Sequence, residues 1–156
     1  MSDHSYAARL TWTGAAQGPA KDYRTYSRAF EVEIPGKSAL KGSADPSFLG
    51  DPAVHNPEDL LLAALASCHM LSYLALAARA GIPVIAYVDD AQGTMHLEKG
   101  GGQFADVLLR PVVTVPKGAD TAKARALHAN AHDICFISRS VNFPVRHEAQ
   151  IIEAAL

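Results

Sequence analysis

The sequence predicts an α+β protein with a mainly antiparallel sheet, in the order βββαββαβ, and three observations carry that prediction. Two segments read as helices, 56–81 with both start and stop signals and 118–138 with a start signal. The stretches around them alternate apolar and polar side chains with a period of two, as half-buried strands do. Glycine-rich and proline-rich punctuation falls between these stretches and not inside the helices.

The elements follow in order. In the first strand Tyr6, Ala8, Leu10 and Trp12 share one face. In the second, residues 26–34, one parity holds Tyr26, Arg28, Phe30, Val32 and Ile34, while Ser27, Glu31 and Glu33 take the other. Arg28 therefore falls on the apolar side, where an unpaired charge costs several kcal/mol. A third short strand near Ser38 to Ser43 leads into "ADPSFLGDPAVHNP", a loop long enough to form a lid or pocket wall.

For the first helix Asn56 is a good N-cap, Pro57 suits the first turn, and Glu58 and Asp59 complement the helix dipole. Gly81 and Pro83 stop it. From Leu60 to Ala78 it carries no charged residue, and these 19 positions approach the roughly 20 that span a bilayer. Ser67, Cys68, His69, Ser72, Tyr73 and six alanines dilute the run, and a lone span leaves the strand-patterned remainder unexplained. The expectation is a helix surrounded by protein on nearly all sides, with no membrane partner.

Beyond it, "PVIAYVDDAQGTMHLE" and "QFADVLLRPVVTVP" flank "KGGG" as the arms of a long hairpin, the second made irregular by Pro111 and Pro116. The second helix is capped by Asp120 or Thr121. Val141, Phe143, Val145, Ala149 and Ile151 share one parity in a last strand. With no repeat or linker, residues 1–156 read as a single domain.

Composition narrows the function. A net charge of -2 without a basic run offers no footprint for nucleic acid or an anionic membrane surface. "MSDHSYAARL" lacks the basic and apolar regions of a signal peptide, so a cytoplasmic location is expected. In that reducing setting the two cysteines, Cys68 and Cys135, are free or catalytic, and they form no CxxC motif.

Burial alone would make Cys68 inert by raising its pKa, so a reactive Cys68 needs a cation, and the inward Arg28 is the candidate. Glu58 could orient Arg28 or simply serve the helix dipole. Ten residues of helix put Glu58 about 15 Å from Cys68, so both act on one group only through a bent loop or from different subunits. A rival site lies on the second helix, where His128, His132 and Cys135 are spaced i, i+4, i+7 and could ligate zinc, though spacing nominates no fourth ligand. His69 points about 100° away from Cys68 and is a poor base for it.

Taken together, "NPEDLLLAALASCHM" and "HDICFISRSVNFPV", with "LTWTG", "YSRAF" and "LKGSADPSFLGDP" upstream, resemble the OsmC/Ohr family of osmotically inducible and organic-hydroperoxide-resistance proteins over nearly the whole chain. "CFIS", where Ohr proteins carry "CPYS", puts the chain closer to the OsmC-like branch. The resemblance implies an intertwined homodimer, with two sheets wrapping a pair of central helices and active sites at the subunit interface. It implies that Cys68 is the peroxidatic thiol and Cys135 the resolving thiol. Arg28 then stabilises the thiolate and positions the peroxide, and Glu58 holds Arg28. The activity implied is cofactor-free reduction of a hydroperoxide, reset by an unidentified dithiol reductant. The alternative is a non-catalytic or zinc-binding relative using His128, His132 and Cys135.

Overall fold

The computed structural model describes residues 2–155. They form two compact units, the first running to Leu61 and the second starting at Leu62.

The first unit is an antiparallel sheet of β1 (Arg9–Thr11), β2 (Phe30–Glu33) and β3 (Leu40–Gly42). Its register places Arg9 opposite Glu33 and Phe30 opposite Gly42. Gly42 is required there, because a Cβ would run into the Phe30 ring. The strands are shorter than the alternation predicts. Residues 26–29 lie outside β2, so Arg28 precedes the strand and is not a member of its apolar face. Local hydrogen bonds hold this segment in place of a ladder: Trp12 Nε1 donates to the Ser27 carbonyl at 2.7 Å, and Gly14 N to the Ala29 carbonyl at 3.0 Å. The predicted loop from Ala44 contains a 3₁₀ turn, Pro46–Phe48, capped by Asp45.

Helix α1 (Pro57–Arg79) begins as its sequence requires. Asn56 Oδ1 accepts from Asp59 N at 2.8 Å and Asp59 Oδ2 accepts from Asn56 N at 3.3 Å, a reciprocal capping box. It ends at Gly81, whose φ of 71° turns the chain while Ile82 N donates to the Ala77 carbonyl at 2.9 Å. The expectation that α1 is buried on nearly all sides is corrected within one chain. Only Leu65, His69, Tyr73 and Ala77, a single i, i+4 stripe, are buried. The opposite stripe of Ala63, Ser67, Leu71 and Ala75 is exposed. α1 is the one helix among the described residues long and apolar enough to cross a membrane.

In the second unit each predicted hairpin arm is two strands, and so is the last strand. The elements are β4 (Ala86–Asp89), β5 (Gln92–Glu98), β6 (Gly101–Leu109) and β7 (Pro111–Val115), then α2 (Thr121–Ile134), β8 (Val145–His147) and β9 (Gln150–Glu153). The hairpin turns at Lys99 and Gly100 to pair β5 with β6. The break between β6 and β7 falls at Arg110, with Pro111 as the first residue of β7, where a missing N–H is tolerated. There the chain leaves the sheet β5-β6-β8 for the sheet β4-β7-β9. The sheets are mixed: β6 with β8 and β7 with β9 are parallel, because α2 carries the chain back in the same direction. The expected alternation of the last segment holds, with Val145 buried and Ile151 partly buried on the inner parity.

α2 is capped by Asp120, whose Oδ1 accepts from Lys123 N at 2.9 Å. Its inner stripe, Ala124, His128 and Ala131, continues into the buried Cys135 just past the last turn. The core of this unit gathers Tyr73, Ala77, Ile82, Val113, Val115, Ala124 and Ala131.

Candidate active site

Cys68 stands on α1, half-buried, and Cys135 forms the C-cap of α2, fully buried; both are free thiols. The packing of the helices makes the two thiols neighbours, near enough for Cys68 to bear on the protonation of Cys135. Burial is the main reason the Cys135 thiol is pushed up to about 11, and the neighbouring Cys68 sulfur adds to the effect. Ser138 N donates to Cys135 Sγ at 3.4 Å. Cys135 therefore keeps its proton at neutral pH.

The segment after α2 is tied back onto that helix. Ser138 Oγ meets His132 Nδ1 at 3.2 Å, and a 3₁₀ turn at Ser138–Ser140 follows. Phe136, next to Cys135, is 78% exposed.

The stripe of His128, His132 and Cys135 does not converge on a common point. His128 Nδ1 faces His69 Nε2 at 3.0 Å, His132 Nδ1 faces Ser138, and the Cys135 sulfur accepts from Ser138 N. Among the described residues no group of three or more His, Cys, Asp or Glu is arranged to hold a metal ion.

Arg28 and Glu58 belong to the first unit. The Arg28 guanidinium folds back onto its own loop, with Nη1 donating to the Tyr26 carbonyl at 2.5 Å and Nη2 to the Tyr23 carbonyl. Its Cζ lies 3.9 Å from the centroid of the Tyr26 ring and 4.9 Å from that of Tyr23, so the cation is held by two aromatic faces. This arrangement keeps a half-buried charge satisfied without a carboxylate. The one ion pair among the described residues joins Arg146 and Asp106, and Arg28 and Glu58 are not paired. Arg28 also borders an open apolar cleft of about 260 Å³ walled by Leu10, Trp12, Tyr26, Phe30 and Pro57. α1 is continuous from Pro57 to Arg79, so Glu58 and Cys68 stay about 15 Å apart along its axis.

The residues that spacing alone passed over are His69 and His147. His69, rejected as a base for Cys68, turns inward and is 1% exposed. The His69 and His128 rings lie within 10° of coplanarity with centroids 5.3 Å apart. Tyr73 stacks on His128 at 4.0 Å, and His147 lies 5.5 Å from His69 and 6.0 Å from His128. Burial, followed by the neighbouring His147, pushes His69 down to about 4; burial and then His69 push His128 down to about 3. Both are neutral at pH 7, so one facing nitrogen donates and the other accepts. The available signal was the i, i+4 relation of His69 to Leu65 and Tyr73 on the inner stripe of α1.

Two free thiols, Cys68 on α1 and Cys135 at the end of α2, thus lie close to one another inside a mixed α+β unit. Residues 50–150 match the family described as OsmC-like protein, and the chain belongs to that family. An OsmC-like protein of unknown function from Vibrio cholerae O1 biovar eltor is 32% identical, with a TM-score of 0.84 over 94% of this chain and 99% of that one. An organic hydroperoxide resistance protein from Elizabethkingia anophelis shares the fold, with a TM-score of 0.70 at 18% identity over 98% of this chain and 99% of that one. Among curated sequences, the uncharacterized protein YmaD of Bacillus subtilis is 24% identical over 97% of both chains.

Proposed function

We propose that the protein is a cysteine-based hydroperoxide reductase. The observation that carries this reading is that the half-buried Cys68 neighbours the buried Cys135, both as free thiols. The Cys68 thiolate attacks the distal oxygen of the hydroperoxide, the O–O bond breaks, and the departing alkoxide takes a proton to leave as alcohol, or as water from hydrogen peroxide. Sulfur is oxidised by two electrons to the sulfenic acid. Cys135 then attacks that sulfur, its thiol proton leaves with the hydroxyl as water, and a Cys68–Cys135 disulfide remains. An external dithiol returns two electrons and two protons to close the cycle. In this reading Arg28, which rests on its own loop in the single chain, turns to the thiolate and positions the peroxide in the working form, with Glu58 orienting it there.

The working form in this reading is a homodimer. It is supported by the exposed stripe of α1, where Leu71 is 62% exposed between the small residues Ser67 and Ala75. Small residues let a second helix approach closely, and this apolar stripe interrupted by Ser67 suits a second copy of the chain. A shared site also relieves the demand that one helix bring Glu58 to Cys68.

Trapping tests the chemistry. With Cys135→Ser, one equivalent of tert-butyl hydroperoxide should leave a sulfenic acid on Cys68 that a dimedone-type probe labels stoichiometrically, and Cys68→Ser should consume no peroxide. Peroxide consumption by Cys68→Ser at the wild-type rate would overturn the assignment.

A further inference from the structure

The buried histidine pair has no part in the reaction as written, yet it joins the two helices that carry the thiols. His69 directly follows Cys68 on α1, and His128 lies two turns before Cys135 on the same stripe of α2. Their hydrogen bond spans 59 residues of chain and joins the two helices edge to edge. Tyr73, one turn beyond His69, covers the face of the His128 ring. His128 is thus fixed by one contact in its plane and another across it.

This is a costly way to pack a core. Burying two imidazoles forfeits their hydration, and His128 Nε2 finds no hydrogen-bond partner among the described residues. Leu or Phe would fill the same volume with fewer losses, but apolar side chains slide past one another, whereas a 3.0 Å hydrogen bond fixes distance and direction. Disulfide formation is sensitive to such slippage, because the two Cα atoms must approach within about 7 Å with suitable Cβ directions.

We propose that the His69–His128 hydrogen bond is a clamp that sets the register of α1 against α2 and so holds Cys68 and Cys135 at bonding range. His69 and His128 are positioning residues in this role. The proposal rests on reading Cys68 and Cys135 as a redox pair.

The test is the effective concentration of the two thiols, measured on the full-length protein by equilibration in glutathione redox buffer at pH 7.5, with near-ultraviolet circular dichroism confirming the fold. His128→Leu keeps the bulk and removes the bond, and should lower the effective concentration by about tenfold or more. His128→Asn presents an amide atom where Nδ1 stood, and should stay within about threefold of wild type. A merely structural role would not produce that rescue. If His128→Leu fails to fold, His69→Met takes its place, with His69→Gln as the rescue. An unchanged value in the apolar variant, or an amide variant that falls as far as the apolar one, overturns the clamp. Glutathione exchange involves no peroxide, so the outcomes separate. A wild type with a high effective concentration that ignores hydroperoxide defeats the proposed function and leaves the clamp standing. A wild type with no measurable preference for the disulfide defeats the clamp.

Discussion

In the second unit, valines at alternate positions of β7 and the inner stripes of two helices bury Leu65, Tyr73, Leu109, Val113 and Val115 almost completely. Among the described residues of the first unit only Gly14, Gly42, Ser43 and Asn56 are buried, while Leu10 is 68% and Tyr23 61% exposed. Both regions were written with the same period-two alternation, but only one finds, within its own chain, the surface that its apolar face requires. The difference teaches where each half of the proposed chemistry gets its rigidity. The thiols sit on a packed core, whereas Arg28 sits in the segment before β2, held by local hydrogen bonds and two tyrosine faces.

If a second copy completes the protein, the contrast should collapse when association is blocked. The wild type should sediment as a dimer at low micromolar concentration. Leu71→Glu, which puts a charge on the exposed stripe of α1, should weaken association by about a hundredfold or more, given the cost of burying an unpaired carboxylate. Amide hydrogen exchange should then rise first in β1–β3, with the β6 and β7 amides still protected. A dimer indifferent to Leu71→Glu would break the comparison at its base.

Core truncation gives the next largest effect. Val113→Ala removes two methyl groups from a fully buried site and should cost about 2–4 kcal/mol at every protein concentration. Leu10→Ala removes more carbon from an exposed site, so its cost should appear only where the partner covers it and should vary with protein concentration. Chemical denaturation at two concentrations, tenfold or so apart, separates the two behaviours.

Acid should act on the second unit first. His69 and His128 have folded-state pKa values near 4 and 3 against 6.5 unfolded, so between these values the unfolded chain binds more protons. Their stabilising contribution is present above pH 6.5 and is lost as pH falls below it. The slope is up to about 1.4 kcal/mol per pH unit for each histidine. His147, His132 and Arg125 surround the pair and oppose a further positive charge there. Urea melts from pH 7 to pH 4.5 should show this slope, and His128→Asn should reduce it.

The smallest expected effect belongs to the first unit. If Arg28 favours the Cys68 thiolate, Arg28→Met should slow alkylation of Cys68 by iodoacetamide at neutral pH and alter its pH profile from that of wild type. Coincident profiles would remove Arg28 from the site.

Much of this was legible in the residues. Asn56, Asp120 and Gly81 marked the helix ends because capping is a local matter of one side chain and a few backbone groups. Pro111 marked the irregular strand for the same reason. The parallel pairing of β6 with β8 and β7 with β9 was not legible, since alternation fixes which face a residue takes but not which neighbour it joins. Arg28 was misplaced on a strand because parity continues through a segment that side-chain and turn hydrogen bonds had already claimed. The histidine pair escaped notice because helical spacing relates residues on one helix, and His69 and His128 meet between two.

The most direct test of the central claim, that Cys68 and Cys135 form one redox unit, is peptide mapping under non-reducing conditions after one equivalent of hydroperoxide. Stoichiometric conversion to a Cys68–Cys135 disulfide within a single chain, reversed by a dithiol, is the predicted result. Cys135 recovered as a free thiol, with Cys68 either untouched or carried on to sulfinic acid, would contradict it.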